Sequence, residues 1–473
     1  MQKQTRKEKD ERKNPGPASF LIKNGLVVTA VDSFKGDILV ADGKIQLLGK
    51  HLEVIEPGAH IIDATGLLVL PGGIDPHVHM ELPSGDGRFS ADDFETGTRA
   101  AIAGGTTSII DFVTPGPGQP LPEALNLRKK EAQKSLCDYA LHMSITSWHE
   151  GIPAEMAHCV QHEGITSFKV YMAYKKNIGL EDKYIMTVMD TAAKLKARVM
   201  VHCENDEIIR YLQKKYISAG KTAPKYHALS HPDSTEADAV GRALLMADTT
   251  GCSLYIVHLS SARALKKVLE IPAKKPDIAV ETCPHYLLLN SSEYERTGSA
   301  GAAYIMSPPL RTAVDGNFLW QAIAGNYIQV VATDHCPFNK NQKEEGLLDF
   351  TKIPNGVGGI EHRMALLYTY GVLQKKISLN QWVAITSTMP ARIFGLYPRK
   401  GALVSGADAD ILLWDPRAES TISTQTHLQK CDTDIYEGFV TKGKPHLVMS
   451  NGQIAYRDNK IELKKNAGHY LYR

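Results

Sequence analysis

The stretch Pro71–His79, PGGIDPHVH, places two histidines one residue apart directly after the apolar run Leu67–Leu70. In an extended chain, residues i and i+2 point to the same side, roughly 7 Å apart along the strand. His77 and His79 can therefore reach one metal ion together, although an isolated His-x-His is more often a pair of loop histidines. Four further polar residues stand in comparable surroundings: Lys169 in SFKVYM, His202 closing RVMVHC, His258 in LYIVHLS and Asp334 in VVATDH. Each follows small or apolar residues, where a lone polar side chain is expensive to bury. One such histidine is more often a hydrogen-bonded core residue. Four histidines, a lysine and an aspartate at corresponding strand ends are much harder to explain that way. Ligands of this borderline type suit zinc, with manganese, cobalt or nickel as substitutes.

Lys169 needs its own account. An ammonium has no lone pair and is repelled by a pair of dications. With two zinc ions, Asp334 and a bridging hydroxide, an ammonium leaves three net positive charges. An amine that has reacted with carbon dioxide is an anionic carbamate; it leaves one net charge and offers an oxygen to each metal. The positive site itself favours the neutral amine that this reaction needs. The plain alternative is a buried lysine paired with an acid.

The elements that must carry these residues alternate. Strand-like runs are read at Leu67–Ile74, Thr106–Val113, Tyr139–Thr146, Ser167–Met172, Arg198–Cys203, Ser253–Ser260, Ile278–His285 and Ile328–His335, with amphipathic helical stretches between most of them. The stretch SADDFETGTRAAIAGG offers Ser90 as a helix N-cap and Gly104 as its end. Eight β segments with helical crossovers predict an α/β fold, a (β/α)8 TIM-like barrel, whose chemistry sits at the C-terminal ends of the strands. A doubly wound sheet is the alternative, disfavoured because no GxGxxG follows the first strand.

The ends of the chain read differently. Short alternating segments from Phe20 to about Leu70, with Asn24-Gly25 and Asp42-Gly43 as turn signals, resemble the texture of DADILLWDP and of the stretch holding Asn451-Gly452 near the end. They predict a small β-sandwich domain built from both chain ends, or else two unrelated extensions. The expected divisions are a disordered charged tail over 1–18, β residues over 19–70, the barrel over 71–400, returning β residues over 401–457 and a C-terminal tail over 458–473.

The chain has 473 residues, 43% hydrophobic and 22% charged, with a formal net charge of +2, as expected of a globular protein of more than one domain. No basic stripe with interleaved aromatics suggests nucleic acid as a partner, and no apolar run approaches the ~20 residues of a membrane span. The N-terminus lacks the apolar segment of a secretory signal. The seven cysteines are scattered and show no CxxC spacing, which fits reduced thiols and a cytoplasmic location.

Taken together, PGGIDPHVHMELP, DDFETGTRAAIAGGTTSIIDF, SFKVYMAYK, HCENDEII, MSPPLR, VVATDHCPF, PNGVGGIEHRM and TSTMPARIFGL resemble the cyclic amidohydrolases, and most closely the dihydropyrimidinase and D-hydantoinase branch. The likeness runs from about Phe20 to Arg457. It implies that His77, His79, carbamylated Lys169 and Asp334 hold a more buried metal, and that Lys169, His202 and His258 hold a more exposed one. It further implies Tyr174 as a catalytic tyrosine, Ser307 and Asn355 as backbone contacts to the ring amide, and a homotetramer. Taken alone, Tyr174 reads as a packing aromatic, and Ser307 and Asn355 read as turn residues.

The expected reaction is hydrolytic opening of a cyclic amide to an N-carbamoyl amino acid. A hydroxide bridging two metals attacks the ring carbonyl, Tyr174 and one metal stabilise the oxyanion, and Asp334 relays the proton to the leaving nitrogen. The loops Met80–Arg88 and Tyr174–Leu180 are expected to border the ring substituent, with Met80, Leu82 and Phe89 as an apolar wall. Alternatives are an allantoinase or a dihydroorotase-type enzyme, or a non-catalytic scaffold relative. Dihydroorotases place an arginine where this chain has Glu81, although Arg88 lies close in sequence.

Overall fold

The computed structural model describes residues 19–53, 58–83, 87–271 and 277–473. The expected tail over 1–18 lies outside these residues, as does part of the Met80–Arg88 loop. Eight parallel strands follow one another around the centre of the molecule: Gly73–Val78, Thr106–Val113, Asp138–Ser144, Ser167–Tyr171, Arg198–His202, Ser253–Ile256, Ile278–Thr282 and Val330–Val331. A parallel bridge between Val78 and His335 joins the first strand to the end of the last.

Helices cover the outside. Asp182–Lys194 shows why they form: Ile185, Val188, Met189 and Ala192 recur at helical spacing and are buried, while the opposite face carries Lys183, Asp190 and Lys194. Along each strand the alternation of side chains separates two cores. Ile110, Phe112, Ala140, Met200 and Tyr255 fill the barrel interior, whereas Ile109, Leu141, Val199, Val201 and Leu254 pack under the helices. His202 therefore projects to the same side as Met200, into the barrel.

Both chain ends build a second sheet of nine strands. Phe20–Val28, Ser33–Ala41, Lys44–Gly49, His60–Asp63 and Leu68–Pro71 join Ile411–Thr421, Val440–Ser450, Gln453–Arg457 and Lys460–Ile461 in one hydrogen-bonded array. It encloses its own apolar core around Val27, Ile38, Val69, Ile411 and Leu413. The Asp42-Gly43 and Asn451-Gly452 pairs make tight hairpin turns with positive φ. Asn24-Gly25 is not a turn: it is a bulge inside Phe20–Val28, where a Cβ on Gly25 would stand 2.3 Å from a Val69 methyl.

Three other expectations change. The apolar run read as Leu67–Ile74 belongs to two sheets. Leu68–Pro71 pairs with Leu26–Val27 and Ile411–Trp414 in the terminal sheet, and the first barrel strand starts only at Gly73. The last strand keeps two paired residues, because the chain turns into the site at Asp334 with φ 50°. The first helix is capped by Asp93 rather than Ser90: the Asp93 carboxylate accepts from Thr96 N and the Thr96 hydroxyl lies 3.1 Å from Asp93 N. Ser90 instead bonds Leu82 N.

The C-terminal residues return to the barrel. Tyr139 N donates to His469 O and Leu471 N to Tyr139 O. Lys400, fully buried, lies 2.6 Å from Asp138 at the start of the third barrel strand and 2.8 Å from Asp410 in front of the terminal strand Ile411–Thr421.

Candidate active site

The nine residues given a catalytic, metal-binding or ring-binding role from the sequence line one cavity of about 290 Å³ at the C-terminal ends of the strands: His77, His79, Lys169, Tyr174, His202, His258, Ser307, Asp334 and Asn355. The barrel places them there. His77 lies in the first strand, Lys169 in the fourth and His202 at the end of the fifth. His258 and Asp334 follow the sixth and eighth, both with positive φ, as has Tyr174 after the fourth. Three non-glycine residues held in this sparsely populated region around one cavity mark a site whose geometry the surrounding structure enforces.

Asp334 Oδ1 stands 3.1 Å from His77 Nε2 and 3.3 Å from His79 Nε2, and these three groups converge closely enough to hold one ion. His202 Nδ1 lies 3.0 Å from His258 Nε2, and the rings of His77 and His258 are 5.5 Å apart. Burial holds the His79 imidazole at about 4 and pushes that of His258 well below its ordinary value. Burial alone would raise the Asp334 carboxyl, but His77 and His79 opposite it hold it well below the carboxylate range. His79 and His258 are therefore neutral imidazoles near an ionised Asp334 carboxylate, the protonation states that coordinate metals. His79 Nδ1 and His258 Nδ1 are buried without a hydrogen-bond partner among the described residues. Lys169 Nζ makes no ion pair with the described residues; it lies 5.2 Å from the Phe112 ring centre and 5.3 Å from that of Tyr171, and burial lowers its pKa to about 8. His77 Nδ1 faces a Glu281 oxygen at 2.6 Å, so in the neutral ring Nε2 turns a lone pair toward Asp334 Oδ1, an arrangement that fits a divalent cation better than the two fit one another.

The sequence reading missed the groups that hold these ligands. Glu281 accepts from His258 N (2.9 Å) and the Tyr255 hydroxyl (2.8 Å) and lies 2.6 Å from His77 Nδ1. Glu204 lies 3.0 Å from His202 Nε2. Such partners fix ring tautomer and orientation. Glu281, a lone acid in AVETCPH, carried the same signal of expensive burial as the residues that were chosen.

Three expectations about the cavity wall are corrected. Met80 is buried against the first helix at Gly97, because Met80 N donates to Asp111 and its carbonyl accepts from Arg128. Phe89 is exposed, and only Leu82 of the three lines the cavity, joined by Asn177 and Ile178 from the Tyr174–Leu180 loop. Glu81 pairs with Lys134 at 3.2 Å and Arg88 with Glu345, so neither lines the cavity. The identity of position 81 thus says nothing about substrate charge. What bears on it is that no arginine is among the described residues of the lining.

Fold and site define a barrel hydrolase of the metal-binding kind, and comparison with known proteins gives the family. Residues 68–455 match the amidohydrolase family, and the chain belongs to it. It is 44% identical to a D-hydantoinase of Geobacillus stearothermophilus over 96% of each chain. It is 39% identical to a dihydropyrimidinase of Rattus norvegicus, over 96% of this chain and 88% of the relative. The crystal structure of dihydropyrimidinase from Brevibacillus agri NCHU1002 superposes with a TM-score of 0.94 at 41% identity, covering 96% of this chain and 98% of that one.

Proposed function

We propose that this protein hydrolyses the ring amide of a 5,6-dihydropyrimidine or a 5-substituted hydantoin, releasing an N-carbamoyl amino acid. The observation that carries the reading is the convergence of four histidines, Lys169 and Asp334 on one cavity, in a chain matched over 96% of its length by relatives named for both activities. A lining without arginine among its described residues suits an uncharged ring.

His77, His79, Lys169 and Asp334 would hold one divalent ion, and Lys169, His202 and His258 a second. Zinc is the best match to this donor set. Bound there, such ions supply Lewis acidity and a water acidic enough to attack near neutral pH. Lys169 is assigned as a carbamate. As an ammonium it would be buried without a carboxylate of the described residues within ion-pair distance, an expensive state, whereas reaction of its neutral amine with carbon dioxide releases a proton and leaves one negative charge shared by two oxygens. Asp334 is ionised. It takes the proton of the attacking water and delivers it to the ring nitrogen as the carbon–nitrogen bond breaks. Tyr174 keeps its proton, since burial raises its pKa, and donates to the carbonyl oxygen as that atom gains charge. Backbone groups of Ser307 and Asn355 orient the ring amide.

Among the described residues no helix is long and apolar enough to cross a membrane. The seven cysteines are free and buried, which supports a reducing, cytoplasmic setting. A homotetramer, the assembly that the family likeness implies, is tested by light scattering.

The function is tested by turnover of dihydrouracil, a 5-substituted hydantoin, allantoin and dihydroorotate on protein prepared with zinc and bicarbonate. Turnover of the first two supports the proposal. Preference for dihydroorotate or allantoin overturns it.

A further inference from the structure

A second cluster of metal-binding side chains lies outside the cavity. His362 follows the segment that carries Asn355. His427 and Asp434 come from the connection between Ile411–Thr421 and Val440–Ser450. His362 Nε2 is 2.8 Å and His427 Nδ1 is 3.2 Å from Asp434 Oδ2, and the side chains of all three are nine-tenths or more buried. The three groups converge closely enough to hold one ion.

With both imidazoles neutral, the state in which they can ligate an ion, these groups do not satisfy one another. His427 Nε2 lies 2.9 Å from the Cys431 carbonyl, which only accepts, so this nitrogen carries the hydrogen. A neutral imidazole has one N–H, which leaves a lone pair on Nδ1 facing the Asp434 carboxylate. Gln429 adds to the conflict. Its Nε2 stands 3.1 Å from His362 Nε2 and 3.2 Å from His427 Nδ1, while its Oε1 is buried without a partner. Amide oxygen and nitrogen are exchanged by turning the group over. In that orientation the Gln429 oxygen faces the same two nitrogens, and two ring nitrogens, a carboxylate oxygen and an amide oxygen converge.

We propose that His362, His427, Asp434 and Gln429 bind a structural divalent transition-metal ion, with zinc the best match to two imidazole nitrogens and two oxygens. The ligands are held from behind. The Cys431 carbonyl fixes the His427 tautomer, Tyr436 N donates to Asp434 Oδ1 at 2.8 Å, and Glu361 accepts from Leu428 N and Gln429 N. A cavity of about 340 Å³ reaches His362 and His427 and gives an ion its entry. The ion would clamp the 427–434 connection onto the segment behind the active-site wall. Lys430 N donates to Asp92, whose other oxygen lies 3.2 Å from His335 Nε2, beside Asp334.

The test is made in full-length Lys169→Ala protein, where the ions of the active site are expected to be absent. After zinc loading and dialysis, mass spectrometry should find one equivalent per chain. Adding His427→Asn or Asp434→Asn should remove it, and cobalt-loaded protein should lose its tetrahedral visible absorption with the same substitutions. If His427→Asn fails to fold, Gln429→Leu removes a ligand without unpairing a charge and should lower zinc affinity in the same background. Equal zinc in Lys169→Ala and the double variant overturns the proposal in favour of an imidazolium–carboxylate pair. A Lys169→Ala protein that keeps its active-site zinc, yet loses one equivalent with His427→Asn, sinks the Lys169 assignment and leaves this site standing.

Discussion

Replacing Lys400 by Met tests how the barrel and the terminal sheet are joined. The Lys400 ammonium is fully buried and stands 2.6, 2.8 and 3.0 Å from oxygens of Asp138, Asp410 and Asp408, and 3.2 Å from Asn451. Asp408 also pairs with Lys44 and so retains a cation. Asp138 and Asp410 keep no lysine or arginine among the described residues: Asn451 Nδ2, His469 N and the His469 ring at 3.3 Å remain for Asp138, Thr107 and Asn451 N for Asp410. Methionine nearly fills the lysine's volume, so the loss is electrostatic. Unpairing buried carboxylates costs about 3–5 kcal/mol. Unfolding entropy of about 2.1 cal/mol/K per residue gives about 1 kcal/mol/K for a chain of this size, so the melting temperature should fall by about 3–5 °C. Burial would lower the Lys400 pKa, but the three aspartates outweigh it and hold it above the ordinary 10.5. Its contribution is thus complete below about 10.5 and is lost as pH rises through the folded value. Asp138 lies below its ordinary 3.8, so its share is lost as pH falls from there, whereas burial raises Asp410, which adds no such share. Urea titration of wild type and Lys400→Met should give a difference that is flat from about pH 5 to 10 and shrinks outside that window. A difference under about 1 kcal/mol at pH 7, or one that grows above pH 11, would refute the reasoning.

Other expected outcomes concern the cavity. Tyr174→Phe should lower kcat by about 10²–10³ with KM nearly unchanged, as for removal of one oxyanion donor; a change in KM alone would assign Tyr174 to binding. Glu281→Gln should weaken zinc binding by about 10–100-fold in competition with a chromophoric chelator, and wild-type affinity would free His77 and His258 from that support. Gly356 has φ 143°, and a Cβ there would stand 2.3 Å from the Cys336 carbonyl. Gly356→Ala should displace Asn355 and raise KM at least about tenfold while circular dichroism stays native; an unchanged KM removes Asn355 from ring binding.

The barrel and the cavity residues were legible because each strand is an apolar run, and a lone His, Lys or Asp at its end is conspicuous by its cost. Three features were not. Leu68–Pro71 and Gly73–Val78 read as one run, since pairing partners, not residue types, decide which sheet a strand joins. Met80 and Glu81 follow a strand whose alternation has ended: Met80 turns under the first helix because Asp111 and Arg128 hold its backbone, and Glu81 turns out to Lys134. His362, His427 and Asp434 come from two distant segments, so no spacing announces them.

Zinc content and ring-opening rate, measured on the same preparations of wild type and Lys169→Ala made with zinc and bicarbonate, bear most directly on the proposed chemistry. The expected result is that the substitution removes two equivalents of zinc and abolishes turnover of both dihydrouracil and a hydantoin, with the fold intact by circular dichroism. Lys169→Ala protein that retains its zinc and opens either ring at the wild-type rate would contradict the account.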